Sequence, residues 1–344
     1  MPLPPVGTIT VELTHRCHRR CSFCYVTGRT AADASHGDEL PVDVIGPAVA
    51  KLVRDTGCRR LQLSGGEPLL RPDLLPLIDA FRSSGASVSI ITDGAHLDAE
   101  LARELADRHV GPIQPTLLAG SAAIHDRMRG EGAFAATSRA IAIGSRAGLE
   151  VVVCMVITRL NWEESARVAE LAFALGARRF ALSRLCPAGA ARPSYDSLMP
   201  DAEQVRRAAE SAAAMCRSLR LPLAAAVAVP SCVWSDPDNP PLSVGVCSIM
   251  GPRTTMTIGP DGTVRSCSMS DHVVGSLLTE DSDVLRQRLW DQELAPMRAA
   301  APGPCGGCPH YARCLGGCRL SARAVFGDLS HADPLAPCAG RPQK

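Results

Sequence analysis

Strand-like and helix-like segments alternate through the first half of this chain, and the alternation limits the fold more than any other feature. Six apolar runs typical of β-strands lie between about residue 7 and residue 185, with amphipathic helical segments between them. The runs are GTITVEL, RRLQLS, SVSIIT, GPIQPTLL, EVVVCMVIT and RRFALS. This order predicts parallel strands joined by right-handed crossovers. Because a closed barrel needs eight such units, we expect an α/β fold with a partial (β/α)6 barrel of the TIM type.

The alternation weakens after residue 190, and the C-terminal part is rich in proline, glycine and cysteine. A β-hairpin is predicted where TTMTI and TVRSC flank the turn at residues 259–262. Because this part has little apolar periodicity, we expect metal centres to hold its shape. The predicted units are a barrel (1–190), a bridging region (191–244) and a small cysteine-rich domain (245–344).

Charge and hydropathy narrow the range of partners. The chain has 36 basic and 35 acidic residues, so it has no strong field to attract nucleic acid or anionic lipid. The N-terminal MPLPPVG lacks the features of a secretory signal, and Pro222 and Pro230 interrupt the apolar stretch at residues 221–229. We therefore expect a cytoplasmic protein that binds neither nucleic acid nor a membrane.

Cysteine is frequent, with fifteen residues in a chain of 344. An odd number in a reducing compartment argues against a framework of disulfides. Ten cysteines fall into two groups with short internal spacings, one near each end, and five are scattered. The grouping favours metal or cluster ligation, whereas the scattered Cys58, Cys154 and Cys216 are expected to be buried thiols.

The first group, Cys17, Cys21 and Cys24, has the spacing Cys-x3-Cys-x2-Cys directly after the first predicted strand. Three thiolates can hold three irons of a cubane and leave the fourth iron open to a small chelating molecule. Zinc with His15 or His18 as a fourth ligand, or ordinary buried thiols, are the alternatives.

The segment Ser64-Gly65-Gly66-Glu67-Pro68 stands at the end of the second predicted strand. Its glycines let the backbone approach a ligand, and Glu67 can accept a hydrogen bond from an ammonium group. Without the neighbouring cysteine group, this segment would be interpreted as a Gly-Gly turn followed by a proline at the start of a helix.

Together, CHRRCSFC and SGGEP on consecutive βα units resemble the radical S-adenosylmethionine (radical SAM) superfamily. The resemblance implies that S-adenosylmethionine chelates the open iron of a [4Fe-4S] cluster. Thr92-Asp93-Gly94 is similar to the family's Thr-Asn-Gly, with Asp93 in place of asparagine. The residues that the resemblance places at the cofactor are Phe23, Gly65, Gly66, Glu67, Thr92 and Asn161, although Asn161 would also serve as a helix cap.

A further segment is similar to one branch of that superfamily. His125-Asp126 and Arg129-Gly130 match its His-Asp-x-x-Arg-Gly pattern. The preceding residues 116–120, TLLAG, replace the usual Ser-Leu-Asp-Gly, so the contact to the ribose departs from the family pattern.

Seven cysteines form the second group. Paired short spacings of four cysteines alone would also suit a structural zinc ribbon. The full order of spacings resembles the SPASM domain, an auxiliary-cluster extension of some radical SAM enzymes. The resemblance implies two auxiliary iron–sulfur clusters of the [4Fe-4S] type. The outer cluster would be held by Cys305, Cys308, Cys314 and Cys338, and the inner one by Cys247, Cys267 and Cys318.

The implied inner cluster lacks one ligand. Either Cys232 or Cys186 completes it from a distance, or one iron stays open and binds substrate. Because Cys186 follows the sixth predicted strand near the barrel mouth, it is also a candidate hydrogen-atom donor to a substrate radical. A buried apolar thiol is the plain alternative for Cys186.

The resemblance implies an enzyme that reductively cleaves S-adenosylmethionine to a 5′-deoxyadenosyl radical, which abstracts a substrate hydrogen. The branch mostly modifies ribosomally made peptides by carbon–carbon, thioether or ether bonds, and we expect such a peptide maturase. Radical oxidation, decarboxylation or dehydrogenation of a small molecule is the second candidate. A non-catalytic carrier with several clusters, or a zinc-bound scaffold, is an alternative of a different class. Ser268 stands where sulfatase maturases have an acidic residue, which disfavours that activity.

Two protein partners are also expected. A low-potential donor such as flavodoxin or ferredoxin would supply the electron that starts the reaction. The first predicted strand begins near Gly7, which leaves no room for an N-terminal peptide-binding domain. We therefore expect a separate protein that binds the leader of a peptide substrate.

Overall fold

The computed structural model describes residues 3–31, 39–242 and 246–340. The predicted boundary between residues 244 and 245, and the two ends of the predicted units at residues 1 and 344, lie outside these ranges. The strands are β1 (Val6–Glu12), β2 (Arg16–Cys17), β3 (Thr30–Ala31), β4 (Arg60–Ser64), β5 (Ser87–Thr92), β6 (Ile113–Pro115), β7 (Val152–Ile157), β8 (Arg179–Arg184), β9 (Leu223–Ala225), β10 (Thr254–Ile258), β11 (Thr263–Arg265) and β12 (Gly275–Ser276).

Twelve α-helices accompany these strands in the described ranges. They are α1 (Val42–Thr56), α2 (Leu74–Arg82), α3 (Ala99–Asp107), α4 (Ala122–Arg129), α5 (Ala133–Arg146), α6 (Ser165–Ala174), α7 (Tyr195–Leu198), α8 (Ala202–Leu219), α9 (Ser282–Leu289), α10 (Ala295–Ala299), α11 (Tyr311–Cys314) and α12 (Arg319–Phe326). None of the helices in the described ranges is long and apolar enough to cross a membrane.

The barrel strands lie in two mainly parallel sheets. One sheet has the strand order β12-β11-β10-β1-β4-β5-β6, and a second has the order β7-β8-β9. Two isolated parallel bridges, Ile113 to Val151 and Thr116 to Cys154, connect β6 with the start and middle of β7. All six predicted strands are present, and their parallel order confirms the predicted α/β fold with a partial barrel.

Two strand pairings were not predicted. β9 pairs in parallel with β8, and β10 pairs in parallel with β1, with Ile9 opposite Met256. The predicted hairpin is confirmed, because β10 and β11 are antiparallel with Ile258 opposite Val264. The hairpin therefore continues the barrel sheet beyond β1, and it brings the C-terminal cysteines close to the barrel.

Apolar residues on the barrel strands and on one side of α1, α2, α3, α5, α6, α8 and α9 form the main core. The strand residues Ile9, Leu63 and Ile90 are at most 1% exposed, as expected for parallel strands covered on both faces. α1 buries Val49 and Leu52 and packs against α2. This packing fixes the strand ends, and therefore the loops that follow β1, β4, β5 and β6.

Candidate functional site

The loop after β1 and the turn after β4 are joined by backbone hydrogen bonds. The Gly66 N–H donates to the Thr14 carbonyl at 2.7 Å, and the Glu67 N–H donates to the Arg16 carbonyl at 2.9 Å. Because Arg16 directly precedes Cys17, these bonds place the Gly-Gly-Glu turn beside the first cysteine group.

Both glycines of this turn are required by close backbone contact. A Cβ on Gly65 would overlap the Thr14 carbonyl oxygen, and one on Gly66 would overlap the Arg16 carbonyl oxygen. Gly65 also has a φ of +126°, which is strained for residues with a side chain. Alanine at either position would push the turn away from the cysteine loop.

Glu67 is buried, and its carboxylate accepts three hydrogen bonds from the protein. Oε1 accepts from the Leu69 N–H at 3.1 Å and the Thr92 hydroxyl at 2.5 Å, and Oε2 accepts from the Asp93 N–H at 2.8 Å. Burial, together with the negative charge of Asp93, raises the pKa of Glu67 to about 7. A bound ammonium group would favour the ionised form, so this carboxylate suits the amino group of a bound amino acid.

The Asp93 carboxylate lies beside His18 and two arginine side chains. Its Oδ2 lies 2.9 Å from His18 Nε2, 2.7 Å from Arg19 Nε and 4.0 Å from Arg129 Nη2. Burial tends to raise the pKa of Asp93, but the hydrogen bond from His18 and the charge of Arg129 lower it well below its usual range. Because His18 and Arg19 lie between Cys17 and Cys21 in sequence, Asp93 anchors the cysteine loop through charges that an asparagine would not match.

The three thiols of the first group lie close together on this loop. Cys21 is 8% exposed, and the Cys24 N–H donates to the Cys21 carbonyl at 3.3 Å. Burial raises the pKa of Cys17 to about 12, and the nearby Glu67 and Cys21 also contribute to this rise. The Arg129 guanidinium interacts electrostatically with the Cys21 side chain. Three thiols of one loop beside a buried cation suit an anionic thiolate-bound cluster.

A single-ion site and a cubane cluster place different demands on their ligands. Within the described residues, no three His, Cys, Asp or Glu side chains are arranged to hold one ion. A tetrahedral zinc ion needs its ligands to converge on one point, whereas the thiolates of a cubane each bind a different iron.

The segment that includes His125 and Arg129 supports the loop after β6. Arg129 Nη1 donates to the Thr116 carbonyl at 2.5 Å, and His125 Nδ1 accepts from the Leu118 N–H at 3.2 Å. Burial and the charge of Arg129 lower the pKa of His125 to about 3, so its imidazole is neutral near pH 7. Residues 116–120 are thus held in place by hydrogen bonds from α4 despite their departure from the family pattern.

The Asn161 side chain joins two loops. Its Nδ2 donates to the carbonyls of Leu118 at 2.9 Å and Val156 at 3.0 Å, and its Oδ1 accepts from the Thr158 N–H at 2.7 Å and hydroxyl at 2.8 Å. All of its hydrogen-bonding groups therefore have protein partners. A contact with the cofactor would require one of these bonds to open.

Phe23 packs beside the segment that follows β8. Its neighbours are the apolar residues Leu185, Ala191 and Tyr195, and the Ala191 N–H donates to the Cys24 carbonyl at 2.8 Å. The first cysteine group is thus in contact with the segment that contains Cys186.

The outer C-terminal group includes one more thiol than the sequence assigned to it. Cys305 lies within electrostatic range of Cys308, Cys314 and Cys338. Cys232 is exposed, and partial desolvation of its thiol, with smaller contributions from Cys338 and Cys314, raises its pKa to about 12. Cys232 therefore lies beside the outer group of cysteines, and its predicted role as a ligand of the inner cluster stays a prediction.

The inner group also has an additional thiol. Cys247 and Cys267 pack against Cys318, which is 2% exposed. The Cys318 thiol interacts with those of both Cys186 and Cys247, and these neighbours lower the pKa of Cys318. The structure thus places Cys186 beside the inner cysteines, which is one of the alternatives that the sequence left open.

Two buried ion pairs near these groups were not found from the sequence. Arg184 Nη2 lies 2.5 Å from Asp333 Oδ2 with both side chains fully buried, and Arg265 pairs with Glu12 at the end of β1. Each pair joins residues far apart in the chain, so no local spacing could indicate it. Both pairs fix the C-terminal part of the chain to a barrel strand.

Comparisons with known proteins extend over nearly the whole chain. The profile described as the radical SAM superfamily matches residues 11–172. A PqqA peptide cyclase of Methylocella silvestris is 30% identical over 340 residues, which cover 97% of this chain and 87% of that protein. A PqqA peptide cyclase of Streptomyces rochei is 30% identical over 341 residues, with coverages of 96% and 88%.

Solved structures share the fold. Streptococcus suis SuiB, crystallised with the precursor peptide SuiA, has a TM-score of 0.75 at 16% identity, covering 97% of this chain and 77% of its own. Native anSMEcpe with bound AdoMet has a TM-score of 0.69 at 14% identity, with coverages of 91% and 89%.

The fold, the cysteine loop and these relatives define the class. The chain belongs to the radical SAM superfamily. It is thus an enzyme, and membership implies S-adenosylmethionine and a [4Fe-4S] cluster as its cofactors.

Proposed function

We propose that this enzyme makes a covalent cross-link within a ribosomally made peptide. The juxtaposition of the Cys17 loop with Gly66 and Glu67 is the observation that supports radical chemistry. When bound at Cys17, Cys21 and Cys24, the cluster and S-adenosylmethionine together supply a 5′-deoxyadenosyl radical that takes a hydrogen atom from the peptide.

The residues of the chain have distinct roles in this proposal. Glu67, oriented by the Thr92 hydroxyl, accepts hydrogen bonds from the methionine amino group, and the carbonyls of Gly65 and Gly66 assist. Phe23 contacts adenine, and Asn161 borders the nucleoside through the loop that it supports. Asp93 and Arg129 hold the cysteine loop in position.

The C-terminal cysteines would hold two auxiliary clusters. The proposed outer ligands are Cys305, Cys308, Cys314 and Cys338, and the proposed inner ligands include Cys247, Cys267 and Cys318. The division into a barrel (1–190), a bridging region (191–244) and an auxiliary-cluster domain (245–344) is part of the same proposal.

The peptide substrate is inferred from the relatives. The two full-length relatives are named for the cyclisation of the PqqA peptide, and the fold is similar to that of an enzyme crystallised with a precursor peptide. Cyclisation between two carbon atoms removes one hydrogen atom to the radical, one proton to solvent and one electron to an auxiliary cluster. We propose a leader-binding protein and a flavodoxin or ferredoxin as partners, in the cytoplasm.

The test has two stages. The anaerobically reconstituted protein is incubated with dithionite and S-adenosylmethionine, and 5′-deoxyadenosine is followed by chromatography. The protein is then co-expressed with short peptides encoded beside its gene, and their masses are measured. We expect 5′-deoxyadenosine, and a peptide lighter by two hydrogen atoms.

Two variants provide the controls. Cys17→Ala should abolish both products, because it removes a proposed cluster ligand. Cys216→Ala should retain both, since Cys216 lies buried on α8 and is not a proposed ligand. A Cys17→Ala protein that still forms 5′-deoxyadenosine would refute the proposal.

A further inference from the structure

Cys186 lies at the junction between the barrel and the C-terminal part of the chain. It follows β8, is 5% exposed, and its Sγ lies 3.8 Å from the Arg184 carbonyl oxygen. Its thiol interacts with that of Cys318, which interacts in turn with Cys247, and Asp333 bonds both Arg184 and the Cys318 N–H. Cys267 packs on the same cluster. Four thiols from three distant segments therefore meet in one buried region.

A network of buried polar groups holds Cys186 and Cys318 in this arrangement. Asp333 Oδ2 lies 2.5 Å from Arg184 Nη2 and accepts a hydrogen bond from the Cys318 N–H at 2.7 Å. The Ser321 N–H donates to Cys318 Sγ at 3.4 Å, and Arg184 Nη2 donates to the Ser321 hydroxyl at 3.3 Å. The end of β8 and the start of α12 are thus fixed to each other.

Two hydrogen-bond donors beside these thiols have no partner among the described residues. They are the Arg184 Nη1 group and the Tyr195 hydroxyl, and both are buried. Both side chains interact electrostatically with Cys186 and Cys318. A buried donor without a partner costs roughly 1–3 kcal/mol. An anionic cluster with thiolate and sulfide acceptors would satisfy both donors, whereas an apolar core would not.

We propose that Cys186 is the fourth protein ligand of the inner auxiliary cluster. The inference rests on the proposed function, which assigns that cluster to Cys247, Cys267 and Cys318. Cys186 would hold the iron that the other three leave open as a thiolate, its thiol proton having passed to solvent, and the cluster would supply electron transfer. The inner cluster then has no open iron for substrate.

A hydrogen-atom donor would need a different position from that of a cluster ligand. Such a donor must face the substrate, but the Cys186 thiol lies against Cys318 and the Arg184 carbonyl. The two roles predict different iron contents for a variant without Cys186. Loss of a cluster ligand changes the iron content, whereas loss of a hydrogen-atom donor does not.

The experiment uses full-length protein that lacks the first cluster through Cys17→Ala, Cys21→Ala and Cys24→Ala. Its iron and sulfide contents and its EPR spectra then report only the auxiliary clusters. Because this measurement requires no cleavage of S-adenosylmethionine, its outcome is independent of the test of the proposed function. We expect about eight iron per chain in this parent protein, four for each cubane.

Adding Cys186→Ala should lower the iron content to about seven per chain, with the EPR signal of an oxidised three-iron cluster, or to about four if the inner cluster is lost. The matched control is Cys154→Ala, which removes a buried thiol that packs with Val152 and Ala181, and it should retain about eight iron. In each variant, the iron of the outer cluster, about four per chain, shows that the protein is folded.

Cys186→Ser provides a second variant of nearly unchanged size. A hydroxyl oxygen in place of sulfur should shift the EPR spectrum and the reduction potential of the inner cluster while most iron is retained. Full iron with an unchanged spectrum in both Cys186 variants would overturn the inference, as would about seven iron in the parent protein.

Discussion

Replacement of Asn161 by alanine distinguishes a structural role from a cofactor contact. The Asn161 side chain forms four hydrogen bonds to the Leu118 carbonyl, the Val156 carbonyl and Thr158, and it is 1% exposed. At roughly 1 kcal/mol for each net hydrogen bond, their loss should cost about 4 kcal/mol of unfolding free energy. In a chain of this size, the thermal midpoint should fall by about 6 °C or more.

The assay is thermal unfolding of the anaerobically reconstituted protein, with and without S-adenosylmethionine. We expect the loss in both conditions, because the bonds join protein groups that are buried without the cofactor. Asn239→Ala is the control, since Asn239 is exposed and its change should alter stability by less than about 0.5 kcal/mol. An Asn161→Ala protein with the wild-type midpoint and weaker cofactor binding would refute the structural role.

Three further predictions test the site. Gly66→Ala should reduce 5′-deoxyadenosine formation at least about 100-fold, because its Cβ would overlap the Arg16 carbonyl and displace the turn by a distance that matters for catalysis. Gly303→Ala is the matched control, since no heavy atom lies within 4 Å of the added Cβ, and normal rates in both variants would contradict the argument. Cys232→Ala should retain the full iron content, because four other thiols remain for the outer cluster, and a loss of about four iron per chain would instead make Cys232 a ligand. Affinity for S-adenosylmethionine should fall about tenfold from pH 8 to pH 6, because Glu67 with a pKa of about 7 is largely protonated at pH 6 and then accepts poorly from an ammonium group. Equilibrium dialysis at the two pH values measures this change, and equal affinities would show that Glu67 stays ionised.

The six barrel strands were predictable because each is a local apolar run with helical periodicity on either side. β9 and the pairing of β10 with β1 could not be predicted, because parallel pairing between distant segments leaves no local pattern in the sequence. The predicted hairpin formed as expected, but its sheet partner was decided by tertiary packing.

Some residues of the candidate site were predictable from the sequence and others were not. Cys17, Gly66 and Glu67 lie in short motifs at the ends of adjacent strands, so their proximity follows from parallel pairing. Cys186 and Cys232 have no neighbouring motif, and only the fold brings each beside one of the C-terminal groups. The ligand roles of all these cysteines stay predictions until iron is measured.

The position of β1 between β4 and β10 has a consequence for biosynthesis. β4 leaves the ribosome soon after β1, but β10 follows only after every barrel strand and helix has been made. During that interval one edge of β1 presents unpaired N–H and C=O groups, which can pair with another chain. Ribosomal pausing before residue 254 should therefore promote aggregation of the nascent chain, and the C-terminal hairpin acts as the intramolecular cover that ends this exposure.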